Sequence, residues 1–277
     1  MKTEDGYQSE DGKQVESVEG YEDLDQLFRR SISSEGELVY YPVVLKEVED
    51  PSLQGTYQNN EPLVVRYQGG ETQTLTAESF EMYDEALPER TVTEEVEGIP
   101  VLRLQFFDSQ GSRERREFLE DHADAPVQII DLRTNGGGFW QDAQSVMMDY
   151  VGQAVPTNSV EVDAWTGNYQ EEQDQFAENE KLLIVLTGKY TASAAEQFVD
   201  AIHNVENVLI VGENTNGCIL TAAGSSYLPN SNAPMVLGAN LVHVFPGEGF
   251  FEELRGLYPD IWAPAGEAEE LVIKLVE

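Results

Sequence analysis

The segment that most constrains this chain is Leu182–Glu196, LLIVLTGKYTASAAE. Leu182 to Leu186 is a continuous apolar run, long enough for a buried strand and too short to be a helix by itself. Thr187, Gly188, Lys189 and Tyr190 interrupt it. Ala195, Phe198, Val199 and Ile202 then fall at i, i+3, i+4 and i+7, the apolar face of a helix. A buried strand therefore turns sharply into a helix, with Thr191 and Ser193 at the turn. A hydroxyl there stands at a strand's C-terminal end, where the first N–H groups of the helix lack intrahelical acceptors and face whatever binds beside them. Two readings are open. The hydroxyl is a nucleophile beside an oxyanion site, or Thr191 or Ser193 caps the helix, a position both residue types favour.

A second apolar run, Val127–Leu132 (VQIIDL), leads into Arg133, Thr134, Asn135 and three glycines, Gly136 to Gly138. Ala143, Val146, Met147 and Tyr150 mark another helix. Successive glycines cost backbone entropy on folding, so they point to positive φ or to a close approach of the backbone. Together DLRTNGGG and TASAAE resemble the two signature segments of the C-terminal-processing serine peptidases, also called tail-specific proteases (peptidase family S41). The likeness continues through VGENTNG at 211–217, LPNS at 228–231 and GLYPD at 256–260, in the same order, and covers roughly residues 98 to 277. It implies a ClpP/crotonase-like α/β core with Ser193 as nucleophile, three residues before Glu196. It also implies one oxyanion N–H from the glycine cluster, Gly138 ahead of Gly137, and the other from Ala194. The substrate implied is a polypeptide, an unfolded or C-terminal segment cleaved through an acyl-enzyme. Relatives commonly sit outside the cytoplasmic membrane, which implies a cell-envelope or extracellular location and a leader or lipid anchor trimmed from ahead of Met1.

A serine hydroxyl is a weak nucleophile until a base takes its proton. The resemblance to the tail-specific branch puts a lysine 25 residues after the serine, and that position is Cys218. A buried thiol without cationic neighbours keeps a high pKa and packs as a small apolar group. Lys189 in the turn requires desolvation to act as a base, with a solvated charge as the alternative. His203 lies ten residues past Ser193 on the same helix, about 15 Å along the axis, and reads as structural. His243, in the strand after LPNS, is the candidate base, on the acid–base versatility of histidine; His122 is the remaining choice. Tricorn-like enzymes and the interphotoreceptor retinoid-binding proteins lack that lysine, and this chain resembles that branch at TNG and LPNS. The first use a histidine and a glutamate with the serine; the second use the fold for binding. Two functions stay open: a serine peptidase of the lysine-free branch, or an inactive peptide- or ligand-binding protein that keeps the groove.

The charge balance narrows the partners. Sixteen Lys+Arg against 52 Asp+Glu give a net charge of −36, which repels nucleic-acid phosphate and anionic lipid and favours neutral or cationic peptides. There is no run of 18 apolar residues, so no membrane span is expected. With one cysteine no intrachain disulfide can form. No metal-ligand spacing, phosphate loop or dinucleotide fingerprint occurs, so neither a metal nor a cofactor is expected.

The organisation follows from the same patterns. Residues 1–20 are acidic and poor in large apolar groups, and read as a disordered linker. Residues 21–97 read as a small β-rich subdomain. Leu24, Leu27 and Phe28 predict a short helix ending near Arg30, and Leu38–Leu45 an edge strand containing Pro42. Leu63–Tyr67 and Thr72–Thr76 predict a hairpin across Gln68-Gly69-Gly70-Glu71 that is similar to the closing hairpin of a PDZ-like module. Residues 98–277 read as the catalytic domain, an α/β fold with a mostly parallel sheet built from βαβ units. Late elements are a hairpin from Tyr227–Pro229 and Pro234–Val244, and a closing helix marked by Ala268, Leu271, Val272 and Leu275. In such sheets ligands bind beyond the carboxyl ends of the strands, where both the glycine cluster and Ser193 fall.

Overall fold

The apolar runs form the strands expected of them in the computed structural model. It describes residues 2–3, 6–9, 11–42, 46–48, 62–76, 78–80, 83, 89–153, 155–158, 160–163, 177–219, 222–227, 234–238, 241–244, 251–252 and 256–277. The chain divides into two units, one of residues 1–84, 211–213 and 259–277, the other of residues 85–210 and 214–258.

The second unit holds the parallel core. Thr91–Val96 pairs antiparallel with Ile99–Leu104, which runs parallel to Val127–Asp131, itself parallel to Leu182–Thr187. The Val208–Ile210 half of the next strand follows in the order. Asp131 lies opposite Leu186, so the two strands end together and their following loops leave from one edge. Connections through the helices Ser112–Asp121, Trp140–Val151 and Ala194–Ile202 make these βαβ units. Leu102, Ile130, Leu183 and Val185 pack with Val146, Met147, Phe198, Val199 and Ile202 in one buried cluster. Each such side chain contributes about 1.5–3 kcal/mol on burial. Arg115, 2% exposed, donates to Asp149 at 2.8 Å and to Ser145 at 3.2 Å, tying two helices together.

The late hairpin differs from expectation. Ala222–Tyr227 pairs with Pro234–Gly238, but Leu241–Val244 pairs with Val160–Asp163 instead. The stretch predicted as one strand is two, ending at Gly238, with partners the local sequence does not show. Pro229 lies outside the described residues.

In the first unit, Leu63–Tyr67 and Thr72–Leu75 form the expected hairpin, turned by Gly69 and Gly70 at φ 102° and 87°. Val15–Val18, within the stretch read as a linker, pairs with Leu63–Tyr67 and buries Val18 against Leu27, Val65 and Tyr67. The helix is Leu24–Leu27 alone; Phe28–Ile32 is a strand pairing with Leu38–Pro42. The helical spacing of Phe28 is overridden by that ladder, which begins at Phe28 opposite Pro42. Leu38–Pro42 is the edge strand, where Pro42 removes no ladder bond from a further neighbour. Ile261–Trp262 joins Val211–Gly212 to Phe28–Ile32 in parallel register. The closing helix is Ala268–Val276, with Leu271 and Val272 buried. No helix among the described residues is long and apolar enough to cross a membrane.

Candidate active site

Ser193 sits between Leu182–Thr187 and the helix Ala194–Ile202, at φ 56°, ψ −121°. N-cap residues ordinarily take extended backbone; a non-glycine residue at positive φ costs on the order of 1–3 kcal/mol and persists only where its surroundings impose it. Here they do. Gly188 N–H donates to Thr191 Oγ1 at 3.0 Å, and Thr191 Oγ1 donates to the Leu132 carbonyl at 2.7 Å. Ala192 N–H donates to the Asn135 carbonyl at 3.0 Å. The Thr191 hydroxyl is thus spent on bracing the turn, and Ser193 occupies a strand-to-helix elbow of the kind that presents a nucleophile.

The glycine loop packs directly on this elbow. A Cβ on Gly137 (φ 106°) would meet the Ala192 carbonyl and Ser193 Cβ, each at 2.8 Å. Gly137 N–H is taken by Asn135 Oδ1 at 2.9 Å. Phe107 N–H donates to the Gly137 carbonyl at 2.7 Å, and Phe139 N–H to the Phe107 carbonyl at 2.9 Å. In this parallel bridge of Phe107 with Gly138, the N–H of Gly138 itself turns away from Phe107. A side chain on Gly138 (φ 133°) would collide with the Phe107 carbonyl. The Ala194 N–H is the first of its helix and has no acceptor within it.

Glu196 organises the other side. It is fully buried, and its Oε1 accepts from Thr215 Oγ1 and Gly217 N–H, both at 2.7 Å. Its Oε2 accepts from Cys218 N–H at 2.9 Å and Ser193 N–H at 3.1 Å. Burial pushes this carboxyl above its ordinary range, against the pull of the donors around it. Because residues 193 and 218 share one oxygen, Cys218 lies beside Ser193, where the sequence likeness placed a lysine. Burial, then the Glu196 charge, pushes the Cys218 thiol up, so it remains protonated near neutral pH.

The other basic candidates fall elsewhere or outside view. His203 follows the far end of the Ser193 helix and contacts the Val199 carbonyl at 3.1 Å. His122 contacts Glu95 at 2.7 Å, and its carbonyl accepts from Gln128 at the start of Val127–Asp131, the end opposite the glycine loop. His243 has its backbone in Leu241–Val244, opposite Glu161; its side chain lies outside the described part of the structure. Lys189, expected as a solvated charge, is 3% exposed and donates to the carbonyls of Thr215 and Asn216, both at 3.0 Å.

Glu196 is a site group beyond the sequence candidates, and the signal that marks it is the capping-box spacing Ser193-x-x-Glu196. Asn135, which orients the glycine loop, carried no such signal. Among the described residues no group of His, Cys, Asp and Glu is placed to hold a metal ion.

The chain is similar to the tail-specific protease of Haemophilus influenzae, 26% identical over 204 residues, which is 71% of this chain and 29% of that one. It therefore spans less than a third of that relative. Among solved structures it resembles the photosystem II D1 C-terminal processing protease, 17% identical with a TM-score of 0.47, covering 76% of this chain and 57% of that one. It also resembles mature CPAF, at 14% identity and a TM-score of 0.47, with 77% and 66% covered. Residues 98–261, more than half of the sequence, match peptidase family S41, and the chain belongs to that family.

Proposed function

We propose that this protein is a serine peptidase that cleaves unfolded or C-terminal polypeptide segments through an acyl-enzyme on Ser193. The observation that carries it is the elbow: Ser193 at positive φ, packed against Gly137 and followed by Ala194, the first residue of its helix. Ser193 Oγ attacks the scissile carbonyl as its proton passes to a base. The tetrahedral oxyanion is met by the N–H groups of Gly138 and Ala194, a pair whose loss of one member costs about 10²–10³ in rate in such sites. Collapse expels the amine with a proton returned by the base, and water then hydrolyses the ester. Cys218, held as a thiol, is unsuited to be that base, and His122 and His203 are occupied elsewhere. His243 is the histidine left for the role. Phe139 (62% exposed) follows Gly138, and Tyr190 (36% exposed) lies in the serine turn, which offers apolar surface to substrate side chains on both segments.

The test is fluorophosphonate labelling of wild type, Ser193→Ala and His243→Ala. Labelling of wild type alone supports both the nucleophile and the base. Labelling that persists in His243→Ala keeps the peptidase and removes His243. A folded wild type that never labels sinks the peptidase.

A second reading, an inactive binding protein, has one observation in its favour: the residue brought beside Ser193 is a protonated thiol and not a lysine. It expects calorimetric binding of peptides that is unchanged in Ser193→Ala, with no turnover.

A further inference from the structure

The Ser193 turn lies in sequence between two buried charges of opposite sign, and both reach the same stretch of backbone. The Lys189 ammonium takes the carbonyls of Thr215 and Asn216. The Glu196 carboxylate takes the N–H groups of Gly217 and Cys218. Asn216 closes the arrangement, with Nδ2 donating to the Lys189 carbonyl at 3.1 Å and its N–H to the Thr191 carbonyl at 2.8 Å. From behind, Leu257 N–H donates to Thr215 Oγ1 at 2.7 Å, and Gly256 (φ 81°) packs so closely that a Cβ would enter the Thr215 carbonyl.

We propose that Lys189 is a positioning residue: with Glu196 it forms a two-charge clamp on Thr215–Cys218 that sets residue 218 beside the Ser193 nucleophile. The polarity of the segment is used at both ends, carbonyls toward the cation and N–H groups toward the anion. Hydrogen bonds to charged groups are about twice as strong as neutral ones. Taking an ammonium out of water is costly unless such acceptors surround it. Lys189 does not act as the base. No hydrogen bond joins its Nζ to Ser193 among the described residues, and two carbonyl acceptors hold the amine as a donor. What the clamp serves rests on the peptidase reading; that it exists does not.

Cys218 reports on the clamp without any activity. The experiment compares iodoacetamide alkylation of Cys218 and fluorophosphonate labelling of Ser193 in wild type, Lys189→Met and Lys189→Arg, all folded by circular dichroism. Lys189→Met, which keeps the length and loses the donors, is expected to alkylate at least about tenfold faster and to label at least about tenfold more slowly. Lys189→Arg, whose guanidinium can still serve both carbonyls, is expected within about threefold of wild type. Arg115→Met, a destabilising change outside the clamp, controls for general loosening and should leave Cys218 at the wild-type rate. Wild-type alkylation in folded Lys189→Met, or equal acceleration in Arg115→Met, overturns the proposal. If Lys189→Met does not fold, amide exchange decides: the Gly217 and Cys218 amides should exchange faster in Lys189→Gln than in Lys189→Arg, and equal rates overturn it. If wild type never labels, the peptidase reading falls while alkylation still judges the clamp.

Discussion

Ser193 holds a conformation that glycine would hold at little cost, so under the proposed function stability and activity compete at one residue. Ser193→Gly is expected to raise stability by about 1 kcal/mol, because the strain at φ 56° disappears, while abolishing fluorophosphonate labelling. A urea midpoint that falls in this variant would show that the serine side chain, and not the backbone, dominates the site. Gly138→Ala is expected to lose labelling by about a hundredfold or more, since the Phe107 bridge must open and the Gly138 N–H swings off its line. Glu196 gives a pH signature. Its carboxyl titrates above the ordinary range, so the stability it contributes is fully present below that range and is lost as pH rises through its own raised value. Glu196→Gln does not titrate; the stability advantage of wild type over it should therefore shrink as pH is raised from about 4 to about 7. An advantage that grows over this window would mean that the donors on the carboxylate outweigh its burial. The serine turn and the glycine loop were legible in the sequence because their residue types are unusual where they stand. The Lys189–Glu196 clamp was not, because its partners on the 215–218 segment are backbone atoms 21 to 27 residues away, which leave no side-chain pattern.

Elements of the parallel core were legible because each is a short apolar run between polar breaks, buried on both faces. Val127–Asp131 and Leu182–Thr187 appear where expected, as do the helices after them. The failures share a cause: Val15–Val18 and Phe28–Ile32 are strands because of ladders to Leu63–Tyr67 and Leu38–Pro42, which no local window contains. Leu241–Val244 likewise finds its partner at Val160–Asp163, far back in the chain. Between Ser112–Asp121 and Trp140–Val151 the determining contact is again non-local. Arg115 reaches Asp149 with both groups buried, 3% and 9% exposed by side chain. Arg115→Met leaves Asp149 with only the exposed Arg116 as its partner, so it is expected to cost about 3 kcal/mol by urea unfolding. Arg115→Met combined with Asp149→Leu should recover a large part of that loss. A double variant no better than the single would assign the cost to lost packing of the arginine stem.

At the scale of the whole molecule the dominant quantity is the net charge of −36, from 52 acidic and 16 basic side chains. Sixteen basic side chains can pair with only part of those carboxylates; among the described residues the pairs include Arg103 with Glu94 and Asp131, Arg115 and Arg116 with Asp149, and Lys13 with Asp11 and Glu71. The remainder repel one another across the surface, and folding brings them closer than they are in the expanded chain. Self-repulsion therefore weighs on the folded state more than on the unfolded one. Salt shortens its reach from about 30 Å at 0.01 M to about 3 Å at 1 M. The urea midpoint should rise from about 0.01 M to about 0.5 M sodium chloride with the denaturant slope unchanged, since the surface exposed on unfolding is the same. A midpoint that stays flat would mean that the unfolded chain is as strained by its charge as the folded one. The same field acts on substrates. If the peptidase reading holds, cationic peptides should outpace acidic ones in kcat/KM at low salt, and the ratio should approach one as salt is added. A ratio that survives high salt would place the preference in contacts close to Ser193, because only close pairs escape screening.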